Sequence, residues 1–524
     1  MPSTDTPLPG AAAPRRGRTV VLFRTGLGLV YLAAFLSLSV QVVDLAGARG
    51  LLPVTDHLDR LRAADATTLE RVHAFPTLHW ISSSDTSLRL AAAVGAVLSL
   101  ALILGIGGRA VPLLLWLLYL SGATAGRDFF YYQWDNLLLE AGLLAVFLPA
   151  RGTLADFARR RSLPEPSPVV VFLVRWLLFR LLFESGLAKL VFGREDWLDL
   201  NGMTFYYETA PLPSWGGWFV QQLPDWFHRL SIGFMLLVEV PLSFFAFGPR
   251  PLRRILFLAH LPFQIAIAAT SNYGWFNLLS LVLSLLLLDD RDLDALSSVV
   301  RRLARLPIPE TVPGPEQCAV ILPAISPWRA RVLRLGPWLL AGLLVPGTLV
   351  EGASYFLRGS GAFAAFEPVR RLYRPFRAVN RYHLFPGIVR RRIVRGIEGT
   401  TDGRTWLPYY LHDAPGDPGA VPPVTWLHNP RFPFHYSFIT LRRSNRDAEY
   451  TRNLVQRLCC DPEAVADLFE VNPFPGPGPA ALRVRDEHYR FGTWQDLAST
   501  GRYWIREPSG QPSRALTCSC GPGR

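Results

Sequence analysis

Long apolar stretches, separated by short polar connections, fill the first two thirds of the chain, near 19–43, 88–107, 109–125, 130–149, 167–191, 229–248, 253–270, 274–289 and 334–356. A helix needs roughly 20 mostly apolar residues to cross a bilayer core. The pattern therefore predicts about nine spans, or eight, because 109–125 and 274–289 are short. From about 358 onward the pattern changes to short runs of period two separated by Pro and Gly. Arg392 to Glu398 alternates, and the turn signal Thr401-Asp402-Gly403 leads into Thr405-Trp406-Leu407, which reads as a hairpin. His435 to Leu441 reads as a further strand, and 447–470 as a helix terminated by Asn472-Pro-Phe-Pro-Gly476. The predicted fold is a polytopic α-helical membrane protein, residues 1–357, followed by a β-rich extracytoplasmic domain, residues 358–524.

The arginines between stretches set the orientation. Arg15, Arg16 and Arg18 precede the first stretch, which is too long for a signal-peptide core and reads as an uncleaved signal anchor. With the N-terminus inside, the cytoplasmic connections hold Arg151 and Arg159 to Arg161, then Arg250, Arg253 and Arg254, then Arg291, Arg301, Arg302 and Arg305. The opposite loops carry acids and aromatic residues, and nine spans then place the C-terminal third outside the cytoplasm. The nine arginines of 370–395 run against this count, but long folded domains translocate largely regardless of charge.

Composition narrows the class. Half of the 524 residues are hydrophobic and 18% are charged, which excludes a soluble globular chain and a disordered one. Five cysteines without a CxxC pair exclude a disulfide-dense scaffold and a zinc ribbon. No metal, cofactor or nucleic-acid partner is expected. Cys459-Cys460 and Cys518-Ser-Cys520 either pair with each other in an oxidising compartment or remain thiols. Of the 54 basic residues, 53 are Arg and one, Lys189, is Lys. Such a ratio points to a GC-rich bacterial genome, hence to the inner membrane, and singles out Lys189.

Ionisable residues at membrane depth mark function or an internal pair. The fourth stretch carries Asp135 and Glu140, and the fifth carries Arg175, Arg180, Glu184 and Lys189. Glu140 and Arg180 fall near mid-membrane on antiparallel spans, while Asp135, Glu184 and Lys189 lie toward the outer face. One reading is a charge cluster of Asp135, Glu140, Arg180, Glu184 and Lys189 that locks the two spans together. The other is a proton-handling or substrate site. Glu239, and His260 with Gln264, are weaker cases, and a lone His there reads as a hydrogen-bonded packing residue rather than a ligand. The outer loop 192–228 holds Trp197, Tyr206, Tyr207, Glu208, Trp226 and His228, stiffened by Pro211, Pro213 and Pro224. It reads either as an interfacial aromatic belt or as a platform closing over the charged cluster.

At these residues the chain resembles the lipase maturation factor family. The matching pieces are Trp134 through Glu140-Ala-Gly142; Gly186-Leu-Ala-Lys189 with Trp197, Asp199 and Leu200; Tyr207-Glu-Thr209 with Pro211-Leu-Pro213; Pro224 with Trp226-Phe-His228; and Asn277-Leu-Leu279 ending at Asp289-Asp290. In the last third they are Val379-Asn380 with Tyr382 and Phe385-Gly387; Asn472-Pro-Phe474; and His488-Tyr-Arg490 with Tyr503-Trp504. The sequence departs from the family at Tyr206, where a His is usual, and at Pro433-Phe434, where an Asp-Trp pair is usual. The resemblance implies a non-enzymatic membrane protein whose outer surface binds exported clients, lipases or others, and helps them mature. A shorter resemblance around Gly186, Lys189 and Trp197 to the vitamin K-dependent γ-carboxylases implies an alternative, a membrane enzyme with Lys189 as base and Glu184 and Asp135 nearby. A neutral lysine base needs burial away from carboxylates, so the first reading is the one favoured.

Overall fold

The computed structural model describes residues 15–149, 152–159, 163–303, 327–357, 361–441 and 448–520. Arg151, Arg160, Arg161 and Arg305, counted above toward the cytoplasmic charge, lie outside the described residues.

Each predicted apolar stretch coincides with a helix. These are α1 (Gly17–Ser39), α2 (Asp85–Leu104), α3 (Ala110–Ala125), α4 (Gln133–Ala145), α5 (Pro168–Phe192), α6 (Asp225–Glu239), α7 (Arg250–Thr270), α8 (Phe276–Ser284) and α9 (Pro327–Phe356). Among the described residues, five helical segments are long and apolar enough to cross a bilayer: α1, α2, α6 with its 3-10 continuation to Phe247, α7, and 334–356 of α9. α3 and the α8 region are apolar but shorter. α5 has the length and is apolar, yet it carries four charged residues, Arg175, Arg180, Glu184 and Lys189. α1 is the most enclosed of the five and packs along α2. Leu90 and Val97 of α2, Leu258 of α7 and Leu339 of α9 face outward with apolar surface, the pattern of helices solvated by lipid. The α1–α2 crossing is close because glycines form it: a Cβ on Gly28 would stand 2.7 Å from Ile103, and one on Gly95 would strike the Phe35 ring.

The last third is built on an antiparallel sheet of order β3-β2-β1-β4-β5, with β6 beside β4. The strands are β1 (Arg392–Thr400), β2 (Leu407–Leu411), β3 (Phe469–Val471), β4 (Ala481–Phe491), β5 (Trp504–Pro508) and β6 (Leu516–Thr517). The predicted β1–β2 hairpin is present. Asp402 Oδ1 accepts the N–H groups of Arg404 and Thr405, each at 2.8 Å, and Gly403 takes φ 71°, a side-chain-closed turn with a left-handed glycine.

Two expectations are corrected. The segment 435–441 is not a strand: helix α10 (Arg431–Tyr436) runs through its start and turns follow. The helix brings Phe432 against Phe129 and Phe434 against Tyr132 and Trp134, so aromatic packing on the helical body overrides the local alternation. The predicted helix at 447–470 ends early, as α11 (Glu449–Cys460), because Pro462 cannot continue the ladder. A 3-10 segment and β3 fill the remainder. The cysteines are paired, Cys459 with Cys518 and Cys460 with Cys520, which ties the end of α11 to the β6 strand.

Candidate functional site

The ionisable residues of the helical bundle meet the C-terminal third, which lays residues 377–392 and 428–436 along the ends of the helices. Two buried ionic nodes form that seam, and a third lies beside it within the bundle.

The first is Asp135, in the first turn of α4 and fully buried. It accepts two hydrogen bonds from the Arg431 guanidinium, Nη1 to Oδ2 at 2.6 Å and Nη2 to Oδ1 at 2.7 Å, and one from the Tyr119 hydroxyl at 2.6 Å. The guanidinium also lies 3.8 Å from the Phe130 ring centroid. A planar bidentate fork stacked on an aromatic face is a geometry that Arg supplies and Lys does not.

The second node holds the predicted pair: Arg180 Nη2 donates to Glu140 across α4 and α5. Glu140 Oε1 in turn accepts Asn380 N at 3.0 Å, Asn380 Nδ2 at 2.8 Å and the Tyr382 hydroxyl at 3.2 Å. Arg180 Nη1 donates back to the Asn380 carbonyl at 2.9 Å, and Glu184 accepts Tyr382 N at 2.6 Å. One turn of helix, Arg180 to Glu184, thus reads the backbone of a loop from the far end of the chain.

The third node corrects an expectation. Lys189 meets neither Glu184 nor Asp135. Its Nζ donates to both oxygens of Glu239 on α6, at 2.9 and 2.8 Å, with the Trp197 ring centroid 5.6 Å away. The five charged residues therefore form separate nodes rather than one cluster. Glu239 is a partner that sequence reasoning had counted only as a weaker case of an ionisable residue at membrane depth. His260 and Gln264 are packing residues, hydrogen-bonded to Ser280 and Asn277.

The outer loop contributes a second row of contacts. Trp197 Nε1 donates to the Phe385 carbonyl at 3.1 Å, and Asp196 accepts Ile388 N at 2.8 Å. The Tyr206 and Tyr273 hydroxyls meet at 2.8 Å. Glu208 accepts Phe491 N at 3.1 Å, and burial raises its carboxyl above the usual range despite that bond. Arg392, the first residue of β1, donates to the carbonyls of Ala210 and Pro211, and burial lowers it to about 10. His228 is buried beside Tyr207, whereas Trp226 projects outward. Of the predicted platform, Trp197, Tyr206 and Glu208 touch the C-terminal third; Tyr207 and His228 pack beneath them, and Trp226 does neither.

Arg431 carried no sequence signal, being one arginine among 53. Asn380 and Tyr382 stood in a quoted motif without an assigned role. A cavity of about 250 Å³ opens along β1, between Tyr409 and Tyr410 on one side and Tyr436 and Ile439 on the other. A smaller one, about 110 Å³, lies between Tyr206, Phe385 and Phe438. Lys189 lines neither.

Residues 18–295 match the lipase maturation factor transmembrane domain, and residues 378–513 match the lipase maturation factor C-terminal domain. Lipase maturation factor 2 of Rattus norvegicus is 30% identical, over 93% of this chain and 81% of its own length. The Mus musculus protein of that name is 31% identical over the same shares. Lipase maturation factor 1 of Mus musculus is 29% identical over 94% of this chain and 85% of its own. No solved structure matches.

Proposed function

The chain belongs to the lipase maturation factor family, and from that premise we propose that it is a multi-pass membrane protein assisting the maturation of exported lipases or other secreted proteins. The observation that carries this reading is the pairing of both family domains in one chain, in order and over most of its length. The relatives' names supply the client class. The loop arginines favour nine spans in a bacterial inner membrane, with the sheet outside the cytoplasm. Residues 1–357 serve as the membrane unit and residues 358–524 as the outer unit. The paired cysteines suit that compartment.

In this reading the Asp135–Arg431 and Glu140–Asn380 nodes hold the outer unit on the bundle, and the outer surface near β1 meets the client. The lysine-base alternative loses its support in the geometry: both Glu239 oxygens hold the Lys189 ammonium, and a general base needs that lone pair free. Deletion of the gene tests the proposal. The active fraction of an exported lipase should fall while its synthesis is unchanged. Unaltered specific activity across the exported hydrolases would overturn it. Alkaline phosphatase fused after Arg524 should be active, and a fusion active only in the cytoplasm would reverse the orientation.

A further inference from the structure

All nine residues of β1 are in register with β4, but only Ile397, Glu398 and Gly399 are in register with β2. Pro408 stands opposite Glu398 and has no N–H, so the β1–β2 hydrogen bonds run through the flanking pairs Ile397–Tyr409 and Gly399–Leu407. Odd-numbered residues of β1 therefore direct N–H and C=O toward the β2 side. β4 agrees with this alternation: Asp486, opposite Arg395, turns its carbonyl outward to Ser509 N. Ile393 and Arg395 thus aim their backbone groups at the side where β2 has turned away. Thr440 Oγ1 donates to the Ile393 carbonyl at 3.3 Å. Among the described residues no strand stands opposite the two.

The larger cavity lies on this edge. Five consecutive residues, Arg392 to Gly396, line it. Successive strand side chains point to opposite faces, so an unbroken run in the lining marks a groove along an edge rather than a pocket on a face. Gly396 leaves it open: a Cβ there would meet only the Arg485 carbonyl, at 3.4 Å. Four arginines and two glutamates line the groove. Arg395, Arg485 and Arg506 face Asp486, Glu398 and Glu487 in turn, while among the described residues Arg392 is bonded only to the neutral carbonyls of Glu208, Ala210 and Pro211.

We propose that this half-edge of β1 is a strand-addition site that takes an extended, carboxylate-bearing segment of an incompletely folded polypeptide, pairing with the backbone of Ile393 and Arg395. Main-chain bonds supply affinity with little demand on sequence, as an assistant to different exported chains requires. The proposal rests on the maturation reading above and adds how the client is held.

The test uses the full chain in lipid nanodiscs and fluorescent carboxymethylated α-lactalbumin, a permanently unfolded acidic chain. Arg395→Pro removes the edge N–H without touching the β4 ladder, and Gly396→Leu fills the groove. Each should weaken binding about tenfold or more, whereas Arg395→Ala, which loses only the Asp486 pair, should stay within about twofold. Saturating probe should slow amide exchange across 390–398. Wild-type binding by both Gly396→Leu and Arg395→Pro, or binding without slowed exchange there, overturns the site. If Arg395→Pro fails to fold, Gly396→Leu and the exchange experiment still decide. A normal hydrolase profile in the deletion strain, with edge-dependent binding intact, would remove the maturation reading and keep the site. A deletion defect with edge-independent binding would do the reverse.

Discussion

Replacing Arg431 with Met should unseat the C-terminal third from the bundle. The guanidinium makes two bonds to Asp135, one to the Tyr119 hydroxyl at 3.2 Å and one to the Phe129 carbonyl at 3.3 Å, and both charged side chains are at most 3% exposed. Met fills much of the same volume but leaves Asp135 with the Tyr119 hydroxyl as its remaining partner. Removing one member of a buried pair costs about 3–5 kcal/mol, most of it the stranded charge. Asp135→Asn alone should cost a similar amount, for the same reason in reverse. The double variant carries no stranded charge and should recover about 2–3 kcal/mol relative to the sum of the singles. Reversible unfolding in mixed micelles of fixed composition measures the cycle, and limited proteolysis reports whether the 361–520 portion is released first. Additive singles, or a Met variant as stable as the parent, would refute the claim that this pair fastens the two halves.

Lys189→Met should destabilise by about 3–5 kcal/mol through the stranded Glu239, and Glu239→Leu in the same chain should restore most of it; the same unfolding assay decides, and no recovery would mean that Lys189 serves something other than the pair. Cys459, Cys460, Cys518 and Cys520 should resist maleimide before reduction and take it up afterwards, because they are paired; peptide mass spectrometry of the labelled protein locates the adducts, and labelling of these four without reduction would contradict the pairing. Asp402, held near pH 2 by the backbone N–H groups of Thr405 and Arg404, below its ordinary 3.8, should support the β1–β2 turn above pH 4 and lose that support as pH falls toward 2. The stability difference between the parent and Asp402→Ala should shrink over that window, and a constant difference would contradict the turn geometry.

Helix placement and the β1–β2 hairpin were legible because both are local: apolar runs of spanning length, and a turn whose chemistry lies within a few residues of Asp402. The Glu140–Arg180 pair was legible because consecutive antiparallel helices bring equal depths together. The remaining partners were not. Arg431 lies 296 residues from Asp135, and Asn380 lies 240 from Glu140, separations on which periodicity says nothing. β4 escaped notice for a different reason. Its alternation is carried partly by charge, with Arg483 and Asp486 paired across to Glu398 and Arg395 on β1, so the usual apolar signal is diluted. At 435–441 the alternation was present but tertiary contacts of Phe432 and Phe434 decided the conformation.

The long separation between Asp135 and Arg431 also sets a clock. A ribosome adds about 5–20 residues per second, so roughly 15–60 s pass between the synthesis of the acid and that of its counter-ion. During that interval the nascent bundle has Asp135 uncompensated and Glu140 and Glu184 without the loop that finishes their hydrogen bonding. The bundle is therefore complete only when the last third has folded back onto it. A chain truncated before Arg431 keeps Asp135 without its counter-ion, a mark that proteases and insertion factors can sense.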